Sequence, residues 1–136
     1  MRLLAFEHNG KASTGIRLDD QVVDLSRLTD PNIPVDIVAI LEGGQDMISR
    51  INGAVNSAPN AAFLPIESIT YRLPITSPDK NIGLGKNYLN HVKEMGGELP
   101  TFPGMFFRIP DSMVAHNQPI WRPDLSDCLL YTSDAA

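Results

Sequence analysis

Apolar and polar positions alternate loosely along the first 25 residues, and two turn signals interrupt the alternation. Asn9-Gly10 is the strongest short hairpin signal, because both residues tolerate the backbone that a two-residue turn requires. Asp19-Asp20 marks a second turn, and the short apolar segment 21–25 follows it. The pattern therefore predicts a three-stranded meander at the N-terminus.

A helical period replaces the alternation after the meander. Residues 36–41 predict a brief helix stopped by Gly43-Gly44, and residues 45–57 predict a second, amphipathic helix. Gly53 weakens the second helix by up to ~1 kcal/mol relative to alanine. The apolar face of that helix consists of Met47, Ile48, Ile51, Ala54 and Val55.

A last short strand precedes a proline-containing connection. Apolar and polar residues alternate over 69–73, which predicts a strand that ends at Pro74. Segment 74–80 has the composition of a connection between two units, since it combines prolines with small and polar residues. We expect a small α/β module over residues 1–75 and a second unit from residue 76 onwards.

The composition is that of a globular protein and excludes several classes of function. The 136 residues are 43% hydrophobic and carry a formal net charge of −5 without charge runs, which argues against nucleic acid or membrane partners. No apolar segment approaches the roughly 18 residues of a membrane span, and an early charge argues against a secretory signal. The sequence thus predicts a cytoplasmic protein. One cysteine and three separated histidines give neither a disulfide nor a zinc spacing, and His8 and His116 are expected in solvated turns.

Segment 83–97 carries the most informative candidate chemistry. A Gly-x-Gly turn leads into a short helix that Asn87 can cap, and Gly96-Gly97 supplies a left-handed stop. His91 and Glu94 lie three residues apart, so the carboxylate can orient the imidazole and favour its protonated form. This arrangement is typical of a general base that takes a proton from water.

The same segment allows a structural interpretation and superficially resembles a phosphate-binding loop. Tyr88, His91 and Met95 could instead form the buried stripe of a two-turn helix. A phosphate-binding loop is excluded, because that motif requires glycine where Lys80 stands and serine or threonine where Asn87 stands. No Gly-x-Ser-x-Gly elbow occurs, so the sequence gives no support to a serine nucleophile.

The segment also begins a longer series of motifs within residues 81–127. The motifs are Gly-x-x-x-Asn-Tyr-x-x-His-x-x-Glu at 83–94, Pro-x-x-Pro-x-x-Phe-x-Arg at 100–108, and a serine followed by a Pro-Ile turn within 112–120. Their order resembles the start of the catalytic domain in the fumarylacetoacetate hydrolase family. Residues 2–6 and 22–25 are similar to the N-terminal module that many members carry.

The resemblance implies an α+β fold class. We expect a small N-terminal α/β module over 1–75, followed over 76–127 by the truncated start of a mixed β-sandwich or roll of the family's type. It also implies a metal-dependent enzyme that hydrolyses a carbon-carbon bond in an acylpyruvate, another 1,3-dicarbonyl or a related 2-oxo acid. Isomerases and decarboxylases of the same family remain alternatives. In a competing hypothesis the chain is a catalytically inert fragment whose first module is structural or forms a dimer interface.

The family pattern assigns roles to five residues of this sequence. His91 matches the family's base and Glu94 its partner. Arg108 would clamp a substrate carboxylate, although an exposed arginine at a strand end is an alternative. Ser112 matches a serine near the active site, with a turn-capping hydroxyl as the alternative. Tyr88 is a candidate for substrate contact, with packing as its main expected role.

The resemblance further implies a metal ion and a partner chain for the parent protein. The family's Glu-x-Glu and a later aspartate would bind Mg²⁺ or Mn²⁺ and would lie beyond Asp127. We therefore expect no metal ligand and no cofactor in this chain itself. The parent protein is expected to be a homodimer that acts on a small oxo acid.

The final nine residues, 128–136, depart from the family pattern. They resemble, codon for codon, the in-frame translation of a transposase-end sequencing adapter. Their composition also permits a genuine short strand, which is the alternative. We expect a non-native tail that begins at Cys128, and a natural protein that continues beyond Asp127.

Overall fold

The computed structural model describes residues 1–98, 100–121 and 124. The described chain divides into two compact units. The first unit comprises Met1–Thr76 and Ala115–Gln118, and the second comprises the other described residues from Ser77 onwards. Each unit has its own sheet, so the two are treated separately.

The first unit is built on a five-stranded sheet whose neighbouring strands are all antiparallel. The first three strands form the predicted meander, and the pairing of β1 with β2 and of β2 with β3 confirms it. The spatial order is β4-β3-β2-β1-β5, so the last strand returns to pair with the first. The strands are β1 Leu3–His8, β2 Lys11–Leu18, β3 Gln21–Asp24, β4 Phe63–Pro65 and β5 Thr70–Arg72.

Both hairpin turns of the meander lie where the sequence predicts them. Asn9 and Gly10 have positive φ angles of 51° and 76°, the conformation that a two-residue hairpin turn with matching twist requires. Asp19, with a φ of 48°, makes the second turn between β2 and β3. Short polar side chains tolerate this backbone region better than other non-glycine residues do.

Two helices follow the meander: α1 is Ile37–Glu42 and α2 is Gly44–Asn56. The Asp36 carboxylate accepts a hydrogen bond from the Ala39 amide at 2.9 Å and thereby caps α1. The predicted double-glycine stop is a direct connection, in which Gly43 ends α1 and Gly44, with a φ of 58°, begins α2. The predicted apolar face of α2 is confirmed, since all five of its residues pack in one core cluster.

The two faces of the sheet carry different apolar clusters. Helix residues pack with Ile16 of β2 on one face, whereas Phe6 and Val22 point to the opposite face, as the strand register requires. The larger cluster contains Ile16, Leu25, Ile33, Ile40 and Ile51. The smaller cluster contains Phe6, Val22 and Leu64. The first unit thus buries apolar side chains on both sides of its sheet.

The sequence pattern does not predict strand β4, because Pro59 and Pro65 flank a segment too short to show an alternation. Pro65 is the last residue of β4, and β4 is an edge strand. A proline at the end of an edge strand removes no hydrogen bond from the interior of the ladder. The Ile66 amide then donates to the Asp20 carbonyl at 2.9 Å, which continues the contact with the second hairpin.

An exposed ion pair ties α2 to the segment before α1. The Arg50 guanidinium donates from Nε to Asp30 Oδ2 at 2.6 Å and from a terminal nitrogen to Oδ1 at 3.1 Å. This two-point hydrogen bond lowers the pKa of Asp30 and raises the pKa of Arg50. The pair therefore stabilises the folded chain above the usual titration range of aspartate, and that contribution is lost as the pH falls through the lowered pKa.

The second unit contains a two-stranded antiparallel ribbon and one short helix. The ribbon pairs β6, Ile82–Gly85, with β7, Gly104–Phe107, and α3 is Leu89–Glu94. The predicted Gly-x-Gly turn is wrong, because both glycines lie within strand β6. The turn instead falls on Lys86, whose φ is 52°.

Two glycines of the first unit give a matched test of its packing. We expect Gly15→Ala to destabilise the chain by about 1–3 kcal/mol, because an added Cβ would lie 2.4 Å from Val22 Cγ1 and 2.8 Å from the Val23 carbonyl oxygen. We expect Gly53→Ala to stabilise it by up to ~1 kcal/mol, because Gly53 lies inside α2 with open space around it. Urea unfolding of both variants measures the difference, and equal effects would contradict this account of the packing.

Candidate active site

Helix α3 presents most of its residues to solvent. Val92 is its one buried residue, with 2% of its surface exposed. The alternative in which Tyr88, His91 and Met95 form a buried stripe is wrong, since Tyr88 is 73% and Met95 61% exposed and His91 is exposed as well. The helix therefore turns the candidate base outward.

The capping prediction for α3 is only half right. Tyr88 is the N-cap, and no side chain accepts a hydrogen bond there, so Asn87 does not cap the helix. The left-handed stop is confirmed at Gly96, which has a φ of 64°. The Gly97 amide donates to the Val92 carbonyl at 3.1 Å and closes the end of the helix.

His91 and Glu94 lie three residues apart on α3, and both are exposed. No hydrogen bond or ion pair joins them within the described parts of the chain. In the absence of substrate, catalytic hydrogen bonds are often long and tighten only in the complex. The geometry leaves the imidazole accessible to a ligand, and the roles predicted for both residues stay predictions.

A cleft of about 260 Å³ lies beside the turn that leads into α3. One wall is the segment Leu84–Asn87 and the other is the segment Pro100–Pro103. The sequence predicts a helix cap at Asn87 and assigns no role to Lys86, so it does not predict this cleft. No sequence feature marks this turn, because a left-handed backbone conformation is expected at a glycine such as Gly85 and it occurs instead at Lys86.

Arg108 follows β7 and contacts an aromatic ring. Its guanidinium carbon lies 5.3 Å from the centre of the Phe106 ring, and its amide donates to the Asn81 carbonyl at 2.8 Å. The side chain is thus held along the ribbon. The predicted clamp on a substrate carboxylate stays a prediction.

Ser112 and Tyr88 have simple local environments. The Ser112 hydroxyl donates to the Ile109 carbonyl at 2.7 Å and closes the 3-10 turn Pro110–Ser112, which is the turn-capping alternative. The Tyr88 ring is largely exposed, so the packing role expected for it is not observed in the described structure. Substrate contact by either residue stays a prediction.

The described residues do not by themselves form a site for Mg²⁺ or Mn²⁺. No three histidine, cysteine, aspartate or glutamate side chains cluster within residues 1–98, 100–121 and 124. A hard cation needs several convergent carboxylate oxygens, which these residues do not supply. The ligands predicted beyond Asp127, and the tail from Cys128, lie outside the described residues.

A polar network occupies a small recess in the first unit. Asp24, 4% exposed, accepts hydrogen bonds from the Ser13 hydroxyl at 2.6 Å and the Ser26 hydroxyl at 2.8 Å. Its second oxygen lies 3.1 Å from Arg27 Nε, and Arg27 in turn lies 3.4 Å from His8 Nδ1. His8 is therefore not the solvated turn residue that the sequence predicts. The network supplies hydrogen-bond and ion-pair partners to the buried Asp24 carboxylate, so we assign it a role in stabilising the fold.

The chain is similar to several characterised proteins along most of its length. It is 32% identical over 130 residues to an oxaloacetate tautomerase of Xenopus laevis, a match that covers 93% of this chain and 40% of the relative. It is 32% identical over 118 residues to an oxaloacetate tautomerase of Rattus norvegicus, covering 84% of this chain and 37% of the relative. A fumarylacetoacetate hydrolase domain-containing protein of Pongo abelii is 32% identical over 85 residues, which cover 62% of this chain and 26% of that protein. No family model matches the chain.

The chain belongs to the fumarylacetoacetate hydrolase family, as its motifs predict. It spans about two fifths of the length of the tautomerases it matches.

The predicted cytoplasmic location is wrong by the same comparison, because the Xenopus and Rattus tautomerases are mitochondrial. The prediction rested on the features of secretory signals, whereas organelle targeting depends on amphipathic segments of a different composition. Among the described residues, no helix has the length and apolar character needed to cross a membrane.

The ribbon that leads into the site depends on a glycine packed against a ring. We expect Gly83→Ala to disturb the ribbon, because an added Cβ would lie 2.3 Å from Phe106 Cζ and the ring would have to leave its place. Gly104→Ala is the control in the same ribbon, since nothing lies within 4 Å of its added Cβ. Amide chemical shifts along β6 and β7 should change widely in the first variant and only locally in the second. Similar changes in chemical shift in both variants would show that the position of the Phe106 ring does not depend on Gly83.

Proposed function

We propose that the full-length protein containing this chain interconverts the keto and enol forms of a small 2-oxo acid of the oxaloacetate type. One observation carries the proposal: His91 and Glu94 stand three residues apart on the exposed side of α3, next in sequence to the cleft at Lys86. The names of the Xenopus and Rattus relatives support this reaction type.

Tautomerisation needs a group that moves one proton. His91 takes a proton from the carbon beside the keto group, and the electron pair of that carbon-hydrogen bond forms the new carbon-carbon double bond. The π pair of the carbonyl group moves onto its oxygen, which then takes the proton from the protonated His91 imidazole. The reverse sequence restores the keto form, so neither water nor another reactant is consumed. Glu94 orients the imidazole and stabilises its protonated form between the two transfers.

Hydrolysis of a carbon-carbon bond, the main expectation from the family motifs, has weaker support than isomerisation. The Xenopus and Rattus relatives, whose matches cover 93% and 84% of this chain, are tautomerases by name. The same histidine could serve either reaction, because both require a proton transfer at or beside a carbonyl group. The difference lies in whether water attacks the carbonyl carbon.

Replacement of the base tests the proposal. We expect His91→Ala to lower the rate of enol-to-keto conversion of oxaloacetate by about 10²–10⁴-fold in the full-length protein, which is the usual contribution of a positioned acid-base group. Glu94→Gln keeps the side-chain shape but loses the charge, and we expect a smaller loss. The decay of enol absorbance in ultraviolet light measures each rate against the uncatalysed background.

His116→Ala is the matched control. His116 belongs to the first unit, where its ring meets Tyr71 edge-on at 4.8 Å, and we expect its replacement to leave the rate unchanged. Full tautomerase activity in His91→Ala would remove His91 as the base. A wild-type protein that cleaves acylpyruvates but does not accelerate the tautomerisation would restore the hydrolase hypothesis.

A further inference from the structure

The cleft beside α3 has the size and lining of a site for a small acid. Its volume is about 260 Å³, and Leu84 and Phe102 contribute apolar surface to opposite walls. Lys86, Asn87 and Thr101 contribute the polar side chains. Ligand sites commonly combine apolar walls with a few polar groups that fix orientation.

Lys86 places a positive charge at this cleft. Its Nζ atom lies 3.7 Å from the point that a Cβ on Gly97 would occupy, so the side chain reaches back to the end of α3. No carboxylate lies within ion-pair distance of Lys86 anywhere in the described chain. The ammonium group therefore retains its capacity to bind an anion.

The two neutral polar groups of the cleft are also available. Neither the Asn87 amide nor the Thr101 hydroxyl has a hydrogen-bond partner within the described residues. An amide can donate to a carboxylate oxygen and a hydroxyl can donate to or accept from a keto or enol oxygen. One cation and two uncommitted polar groups suit a short oxo acid better than an apolar or cationic ligand.

The backbone at Lys86 adds a separate indication. A φ of 52° costs a lysine about 1–2 kcal/mol relative to its ordinary conformations. Gly83 and Gly85 would adopt it without this cost, yet the turn falls on Lys86. Strained positions that persist in a folded chain cluster at ligand sites.

We propose that the Lys86 ammonium binds a carboxylate of the substrate, with Asn87 and Thr101 as further hydrogen-bonding partners. The identity of the ligand rests on the function proposed above, whereas the position of the anion site rests on the cleft. Lys86 would then set the preference for acids over neutral ketones, and His91 would act on the carbon chain that the carboxylate anchors.

Succinate is the probe, because it is a four-carbon dicarboxylate without a keto group and its binding needs no turnover. Calorimetry on the full-length protein should show binding that weakens about tenfold to hundredfold in Lys86→Gln, the usual effect of losing one charge-assisted hydrogen bond. Lys86→Arg should retain most of the affinity. Lys80→Gln is the matched control, since Lys80 is exposed in the same unit and does not line the cleft.

Lys86→Gly separates loss of charge from loss of structure. Glycine suits the positive φ, so this variant should be at least as resistant to thermal unfolding as the wild type, yet bind succinate as weakly as Lys86→Gln. In the tautomerase assay, both variants should raise KM for oxaloacetate by a similar factor with little change in kcat. A folding defect alone would instead lower the active fraction and kcat.

The outcomes test the anion site at Lys86 separately from the proposed tautomerase reaction. Succinate binding that depends on Lys86, in a protein without tautomerase activity, would support the anion site and overturn the proposed function. Tautomerase activity with succinate affinity unchanged in Lys86→Gln would overturn the anion site and leave the proposed function standing. Failure of the wild type to bind succinate would also overturn the site.

Discussion

Both units depend on an aromatic ring that lies against a glycine in a neighbouring strand. In the first unit, Gly15 leaves room for the Val22 side chain and the Phe6 ring. Phe6 is fully buried. In the second, Gly83 stands opposite Phe106 in the ribbon, and the ring covers the place of the missing side chain. A shift of one residue in either pairing would put a side chain where the ring lies and turn the apolar residues to the other face. These contacts thus fix the strand register on which the later elements are built.

The parts of the fold that local chemistry determines were predictable, and those that depend on distant partners were not. Asn9-Gly10 specifies its hairpin through its own backbone preferences, and the apolar period of α2 specifies its buried face. Strand β4 exists because β3 offers it a partner, which no feature of Phe63–Pro65 reveals. Gly83 and Gly85 resemble turn residues in sequence, yet they form a strand because β7 pairs with them.

The candidate site likewise has parts that local sequence predicts and parts that depend on distant segments. Helical spacing was enough to put His91 and Glu94 on one helix and to suggest a proton transfer. The cleft was not visible, because it forms between Leu84–Asn87 and Pro100–Pro103, whose approach depends on the path of the chain between them. Nor could the sequence show that Lys86 takes the left-handed conformation, since propensity alone would give that role to a glycine.

The five-stranded sheet ends in two very short strands, each three residues long. β4 finishes in Pro65, and β5 carries Arg72, which is paired with Glu7 across the edge at 2.7 Å. Short edges, a proline and charged side chains all hinder the addition of a further strand from another molecule. The N-terminal sheet is therefore poorly suited to template aggregation, a protection that matters in an organelle or a cell crowded with partly folded chains.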